Sequence, residues 1–200
     1  MSRPVVEFWF EFASTYSYVS AMRVETRAKA AGVDLHWRPF LLGPIFVEQG
    51  WNNSPFNIYP VKGRYMWRDM ERICEKSGLP LVRPQAFPQN SITAARAALA
   101  LSDADRPAFS RAIYEAEFAK GRLISERVVV AAILSSLGHD AESVLAKAGT
   151  DEIKTALKVQ TEEAKKLGIF GAPAFVCPSG ELFWGNDRLE DALLWAKTRG

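Results

Sequence analysis

Residues 5–17 read VVEFWFEFASTYS, a strand pattern followed by a turn and the start of a helix. The run from Val5 to Phe10 is rich in β-branched and aromatic residues and predicts a buried strand. Ser14-Thr15-Tyr16-Ser17 then resembles the start of a helix, with a hydroxyl and no cysteine at the turn. A helix N-terminus offers unpaired N–H groups and the positive end of the helix dipole. We therefore expect an anion beside Ser14 to be stabilised.

A β-α-β unit follows from the apolar pattern after this turn. Helical spacing continues to Gly32, where a C-cap is expected, and Leu35 to Leu41 returns to a strand pattern. Gly43-Pro44 is expected to end that strand. Two strands joined by one helix should be parallel, with a right-handed crossover.

The middle of the chain predicts one loop and a long helical block. Trp51 to Pro60 is rich in Asn, Pro and aromatic residues without periodicity, which is typical of an ordered loop. Helical periodicity then dominates from Lys62 to about Leu167. Ser91, Ser125 and Thr150 are the candidate N-caps of this block.

A second strand pattern near the C-terminus completes the fold. Ala174 to Cys177 and Leu182 to Trp184 predict a hairpin, followed by an amphipathic helix. The order β-α-β, helical block, β-β-α predicts an α/β thioredoxin-like domain with an all-helical insertion. We expect residues 1–45 and 165–200 to form the thioredoxin-like domain, and residues 46–164 to form the loop and the helical insertion domain.

Composition and charge argue against several classes of partner. The 200 residues carry a formal net charge of +2 without a basic, aromatic-rich stretch, so nucleic acid is not expected. No window approaches about 18 consecutive apolar residues, and Glu7 and Glu11 interrupt any secretory signal. We therefore expect no membrane partner and a cytoplasmic location. His36 and His139 have no partner at ligand spacing, so no metal is assigned.

Cys74 and Cys177 lie far apart, and neither has a second cysteine at C-x-x-C spacing. A dithiol redox motif is therefore excluded. We expect two buried reduced thiols, and one structural disulfide is the alternative.

Gly171-Ala172-Pro173 precedes the third predicted strand. A proline here in a thioredoxin-like fold is expected to follow a cis peptide bond and to lie beside the first helix. Ala172 would then offer its backbone N–H and C=O to an extended peptide, as an added strand does. A trans proline that opens the strand is the alternative.

Four separated motifs carry a resemblance to a known family. They are FASTYSY at residues 12–18, PVKGRYM at 60–66, GIFGAP at 168–173 and FWGNDRL at 183–189. Together they resemble the 2-hydroxychromene-2-carboxylate isomerase family, which is related to kappa-class glutathione transferases. The resemblance runs from about Val5 to Trp195. It implies glutathione as cofactor, with its sulfur near Ser14.

The resemblance also implies a role for individual residues. Ser14 is the catalytic residue, and its hydroxyl donates to the glutathione thiolate and lowers a thiol pKa that is ordinarily about 8.5. Ala172 pairs with the cysteinyl backbone, whereas Asn186 and Asp187 receive the γ-glutamyl group. The full set of implied glutathione-binding residues is Ser14, Tyr16, Asn53, Lys62, Ala172, Pro173, Asn186 and Asp187.

Several of these residues also have a purely structural interpretation. Ser14 alone would be an N-cap without a substrate, and Asp187 the cap of the last helix. Asn53 and Lys62, which would hold the glycyl end or the backbone of glutathione, are otherwise solvated residues. Asn52 leaves the alignment of that asparagine open by one residue.

Thr15 departs from the family, which usually has proline after the serine. Proline suits the first helical position because it lacks the N–H that would be unpaired there. Threonine restores this N–H and adds a hydroxyl, so it either strengthens the thiolate site or loosens the turn.

The substrate implied by the resemblance is a small aromatic acid, which needs apolar walls and a cation for its carboxylate. The candidate walls are Phe46, Trp51, Tyr65, Trp67, Phe87 and Trp184, and the candidate cations are Arg64, Arg68 and Arg83. Asp69, Arg72 and Arg96 resemble a polar cluster of the family, for which a structural ion pair is the expected role.

Three functions follow as hypotheses. The first is a glutathione-dependent isomerase of 2-hydroxychromene-2-carboxylate type in aromatic degradation. The second is a kappa-like glutathione transferase, which would consume the thiol. The third is a thioredoxin-like module that binds thiols or peptides without catalysis. A homodimer is compatible with each of them.

Overall fold

A computed structural model of the protein describes residues 3–199. Residues 1, 2 and 200 of the predicted thioredoxin-like domain lie outside the described residues. The sheet has four strands in the order β2-β1-β3-β4. Their bounds are β1 Val5–Phe10, β2 Asp34–Pro39, β3 Ala174–Val176 and β4 Leu182–Trp184.

Ten α-helices lie within residues 3–199, and most of them belong to the stretch between β2 and β3. They are α1 Thr15–Ala31, α2 Leu42–Glu48, α3 Pro55–Ile58, α4 Pro60–Ser77, α5 Ile92–Ala100, α6 Arg106–Tyr114, α7 Arg127–Ser136, α8 Ala141–Ala148, α9 Asp151–Lys166 and α10 Leu189–Arg199. A π-helical turn, Glu115–Ala119, continues α6, and a 3₁₀ turn, Asn186–Arg188, precedes α10.

The strand pairing confirms the predicted thioredoxin-like fold with its helical insertion. β1 runs parallel to β2, whereas β3 is antiparallel to both β1 and β4. Side chains alternate between the two faces of a strand. Phe8 and Phe10 therefore join the core that α1 and α10 cover, and Trp9 joins the opposite core with Ala164 of α9.

The insertion packs against the end of β1. The rings of Phe12 and Tyr114 lie 5.4 Å apart, and Phe12 also meets Phe109 of α6 edge to face. Most of helix α9 falls within the predicted insertion domain, yet its Ala164 packs beneath the sheet beside Trp9. The packing of Ala164 shows that α9 contacts the sheet, but it does not test where the insertion domain ends. The division at residue 164 therefore stays a prediction.

Several predicted boundaries were wrong. Gly43-Pro44 does not end a strand, since β2 ends at Pro39 and both residues lie in the first turn of α2. The predicted loop from Trp51 to Pro60 contains α3, which begins with Ser54 as N-cap and Pro55 at its first position. Proline is favoured at that position because the missing N–H would be unpaired there, a signal that the irregular composition concealed.

The predicted N-caps had mixed outcomes. Thr150 caps α9 by accepting a hydrogen bond from the Ile153 N–H. Ser91 is the N-cap residue of α5, but its hydroxyl makes no capping bond. The prediction for Ser125 was wrong, because the N-cap of α7 is Glu126. Gly32, by contrast, ends α1 in the left-handed conformation that the sequence predicts.

We expect Gly63→Ala to destabilise the corner between α3 and α4. Gly63 is buried, and an added Cβ would overlap the carbonyl oxygen of Phe56. Forcing a methyl group into such a contact costs about 1–3 kcal/mol, which urea denaturation would measure. Gly43→Ala is the matched control, since a Cβ there meets nothing within 4 Å. Equal stability of the two variants would contradict this assignment.

Candidate functional site

The turn between β1 and α1 presents the Ser14 hydroxyl at a helix N-terminus. Ser14 is the N-cap of α1, with an extended backbone, and its Oγ accepts a hydrogen bond from the Ser17 N–H at 3.2 Å. The Ser14 N–H donates to the Glu11 carbonyl at 3.0 Å, which closes the turn. The side chain is half-buried, so a ligand can reach it.

The segment before β3 meets this turn directly. The Ala172–Pro173 peptide bond is cis, as predicted, and the Ser14 hydroxyl donates to the Ala172 carbonyl at 3.0 Å. Pro173 is buried, whereas Ala172 is only partly buried. The structure thus brings together three of the residues predicted for the site, from two ends of the chain.

Thr15 and Tyr16 both connect α1 to α4. The Thr15 hydroxyl is buried and donates to Met66 Sδ at 3.2 Å. The departure from proline therefore adds a contact between helices, from the Thr15 hydroxyl to Met66. The Tyr16 hydroxyl donates to Asp69 Oδ2 at 2.9 Å. Burial, and next the hydrogen bond to Asp69, raises the pKa of Tyr16 above its ordinary value.

Asp69 is a site neighbour that the sequence analysis assigned only to an ion pair. Its contact with Arg72 is long, at 3.8 Å, and Arg96 takes no part in it. The negative charges of Asp69 and, to a smaller extent, Asp187 both favour the neutral form of Tyr16 and raise its pKa. Tyr16 of the FASTYSY motif was the signal in the sequence that could have pointed to such a partner, because a half-buried phenol needs a polar group beside its hydroxyl.

The two residues after β4 differ in accessibility. Asn186 is buried and accepts a hydrogen bond from the Ser20 hydroxyl of α1 at 3.0 Å. Asp187 is exposed, and its nearest cation is Arg188 at 3.9 Å. Of the pair, Asp187 has the carboxylate that a ligand can reach.

Asn53 and Lys62 lie apart from Ser14, at the corner formed by α3 and α4. Asn53 Oδ1 accepts hydrogen bonds from the Ser54 N–H at 2.7 Å and from the Asn57 amide at 3.2 Å. The Lys62 ammonium is exposed and lies 4.7 Å from the centre of the Tyr59 ring. Neither side chain is in contact with Ser14 among the described residues.

Two buried carboxyl groups beneath the turn were missed as functional candidates. Burial raises the pKa of Glu11 to about 7, and the Ser91 hydroxyl donates to its carboxylate. Glu117, in the π-helical turn, is buried with both oxygens unpartnered, and burial raises its pKa well above the ordinary value. The signal in the sequence was a glutamate within a short apolar run: Glu11 in FWFEF and Glu117 in AEFA. Burying a carboxyl group in apolar surroundings costs free energy unless the group is neutral.

These acids belong to the joint between the sheet and the insertion. The Glu11 carbonyl accepts both the Ser14 N–H and the Tyr114 hydroxyl, the latter at 2.9 Å. The insertion therefore supports the turn that carries Ser14. π-helical turns are frequent at functional sites, and here one is adjacent to Tyr114.

The candidate substrate residues fall into separate places. The Phe46 and Trp51 rings are tilted, with centres 5.7 Å apart, and the Trp184 and Phe170 rings lie 4.7 Å apart beside the cis peptide. Tyr65 is exposed on α4, and Arg68 is paired with Glu71 at 2.6 Å. The remaining candidates line one cleft together, and they are Arg64, Trp67, Arg83 and Phe87.

The two cysteines are free and buried, as expected. Burial raises the pKa of each thiol to about 11, so neither is a ready nucleophile. Residues 3–199 contain no group of three or more His, Cys, Asp or Glu side chains able to hold a metal ion. In the same range, every helix is too short or too polar to cross a membrane.

Comparison with known proteins shows the family of this chain. Residues 5–193 match the family described as DSBA-like thioredoxin domain. A 2-hydroxychromene-2-carboxylate isomerase of Sphingobium xenophagum is 28% identical over 190 residues, which cover 92% of this chain and 94% of the relative. Human glutathione S-transferase kappa 1 is 27% identical over 200 residues, covering 92% and 87%.

A solved structure extends the comparison to three dimensions. A 2-hydroxychromene-2-carboxylate isomerase superposes with a TM-score of 0.83 at 25% identity, covering 92% of this chain and 90% of that one. These matches confirm the resemblance inferred from the four motifs.

We expect the buried acids to make stability fall as pH rises. Because the folded pKa of Glu11 exceeds its ordinary value of 4.5, the native state binds more protons than the unfolded state between about pH 4.5 and 7. The loss from Glu11 is on the order of 3 kcal/mol, and Glu117 acts in the same direction. Urea denaturation at a series of pH values measures this slope.

Glu11→Gln should flatten the slope, because the amide cannot ionise and still accepts the Ser91 hydroxyl. Glu115→Gln is the control, since Glu115 is exposed in the same π-helical turn as Glu117. A wild-type protein whose stability is constant or rises over this range would show that the carboxyls are ionised in the fold.

Proposed function

Because this chain belongs to the DsbA-like thioredoxin family, we propose that it binds glutathione and uses the thiolate to isomerise 2-hydroxychromene-2-carboxylate or a closely similar aromatic acid. Isomerases of that substrate are among its relatives along nearly the whole chain. The observation that carries the proposal is the Ser14 hydroxyl, at the N-terminus of α1 and 3.0 Å from the Ala172 carbonyl.

The hydrogen bonds of Ser14 suggest how binding prepares the thiolate. A hydroxyl has one proton, and Ser14 directs it to the Ala172 carbonyl. The cysteinyl N–H of glutathione, paired with that carbonyl as an added strand, would keep the carbonyl satisfied when the Ser14 hydroxyl turns away. The Ser14 proton is then free to donate to the sulfur.

The helix terminus adds to this stabilisation. The first N–H groups of α1 and its dipole favour an anion beside Ser14, so the pKa of the bound thiol falls below about 8.5. Serine remains protonated throughout, because no histidine or lysine contacts its hydroxyl among residues 3–199. Ser14 therefore acts as a donor to an anion and not as a nucleophile.

The reaction proceeds by reversible addition. The thiolate forms a bond to an unsaturated carbon of the ring-opened substrate, and the displaced π electrons move onto its conjugated carbonyl. The former double bond is then single and rotates. Collapse of the enolate expels the thiolate and restores the double bond in the other geometry, so glutathione is returned unchanged.

The ends of glutathione have candidate partners on both sides of Ser14. Its γ-glutamyl ammonium suits the exposed carboxylate of Asp187, with Asp69 behind Tyr16 adding negative charge. Its glycyl carboxylate suits the exposed ammonium of Lys62. Asn53 has its amide N–H groups available for the peptide backbone, since its carbonyl oxygen is already used.

A kappa-like glutathione transferase is the second candidate, and the similarity to the human kappa enzyme favours it. The two reactions share the thiolate and differ in its fate. In a transferase the carbon–sulfur bond persists in the product, whereas in an isomerase it breaks again.

We expect the free thiol concentration to remain constant over many turnovers of the chromene carboxylate. Titration of residual thiol, alongside the change in substrate absorbance, measures this ratio. Loss of one thiol per turnover would assign the chain to the transferases. Absence of glutathione binding in calorimetric titration at millimolar concentration would contradict both reactions and favour a non-catalytic module.

We expect Ser14→Ala to lower kcat/KM by roughly a hundredfold, the usual effect of removing one donor to a reacting anion. The thiolate absorbance of bound glutathione should also appear at higher pH. Thr150→Ala is the matched control, because Thr150 is likewise an N-cap hydroxyl, that of α9. It should cost about 1 kcal/mol of stability and leave the thiol pKa unchanged. Undiminished activity of Ser14→Ala would overturn the assigned role.

A further inference from the structure

An open cleft of about 400 Å³ lies where the corner of α3 and α4 meets the segment at residues 83–87. Its walls include Phe56 of α3, Arg64 and Trp67 of α4, and Arg83 and Phe87. Binding sites for small molecules commonly have about this volume, with aromatic walls and a few polar groups.

The walls of the cleft are fixed by packing. Trp67 is nearly buried and meets Phe87 edge to face, with ring centres 5.0 Å apart. The Asn57 amide donates to the Phe87 carbonyl at 3.0 Å, which ties the segment to α3. Gly63 lets the Phe56 backbone approach α4 closely. The aromatic surfaces are thus held in place before a ligand arrives.

The cleft also carries two cations without counter-charges. The Arg83 guanidinium lies 5.1 Å from the Trp67 ring, and neither Arg83 nor Arg64 forms an ion pair within residues 3–199. Arg68, one turn along α4 from Arg64, is instead neutralised by Glu71. A planar guanidinium in such a position suits a carboxylate, which it can bind with two hydrogen bonds.

Phe56 connects the cleft to the glutathione site. Its ring lines the cleft and lies 6.5 Å from the ring of Tyr16, two residues after Ser14. A ligand against Phe56 is therefore one aromatic contact away from Tyr16 of α1.

We propose that this cleft binds a planar aromatic carboxylate, with its ring against Phe56 and Phe87 and its carboxylate on Arg83 and Arg64. The assignment of this ligand as the substrate rests on the proposed function. Aromatic walls and unpaired guanidinium groups together match an aromatic acid better than a neutral aromatic or a simple anion.

The test measures binding of 2-hydroxycinnamate to the full chain by calorimetry, without glutathione. Arg83→Met and Arg64→Met keep the apolar stem and remove the charge. Each should weaken binding roughly tenfold, the loss expected for one charge-assisted contact at an accessible site. Arg68→Met, the matched control, should bind like the wild type. The neutral amide of the same acid should bind weakly to every form.

Two outcomes would overturn the inference: equal affinity of Arg83→Met and wild type, or equal affinity for the acid and its amide. The proposed function fails separately. If glutathione does not bind but 2-hydroxycinnamate binds with the expected dependence on Arg83, the cleft stands and the isomerase does not. If the chromene carboxylate is isomerised with the same KM in wild type and Arg83→Met, the isomerase stands and the assignment of the cleft ligand as its substrate is wrong.

Discussion

One hydrogen bond, from the Ser14 hydroxyl to the Ala172 carbonyl, joins two parts of the chain that are 158 residues apart. It fixes the N-terminus of α1 against the cis peptide before β3, so a helix dipole and a strand edge face the same ligand. The hydroxyl also accepts from the Ser17 N–H, and this second bond orients its oxygen. The chemistry proposed for the protein depends on this arrangement, because a donor can be redirected to a sulfur only if it is already in place.

The helical insertion stabilises that arrangement through contacts with the turn before α1. Tyr114 reaches the Glu11 carbonyl, the same atom that accepts the Ser14 N–H, and the Phe12 ring packs between the insertion and the turn. Two carboxyl groups are enclosed at this joint, where burial favours their neutral forms. The insertion is thus part of the support of the site, and stability there is linked to pH.

The candidate site was partly predictable. Ser14, Ala172 and Pro173 were found because capping residues and prolines have local signatures, and the structure brings them into contact. The role of Thr15 stayed open in the sequence, since its Met66 partner lies on another helix. Asp69 and Glu117 were missed for a related reason. Whether a carboxyl is exposed, paired or buried depends on neighbours that no local pattern identifies.

Sequence patterns alone were enough to predict the order of the four strands along the chain, the thioredoxin-like class and the N-cap at Ser14, because periodicity and capping act over only a few residues. Tertiary structure alone decided which proton acceptor Ser14 meets, that Tyr16 faces Asp69, and that four of the nine candidate substrate residues share one cleft. Such contacts join segments far apart in the chain, and they exist only once side chains from several elements pack together.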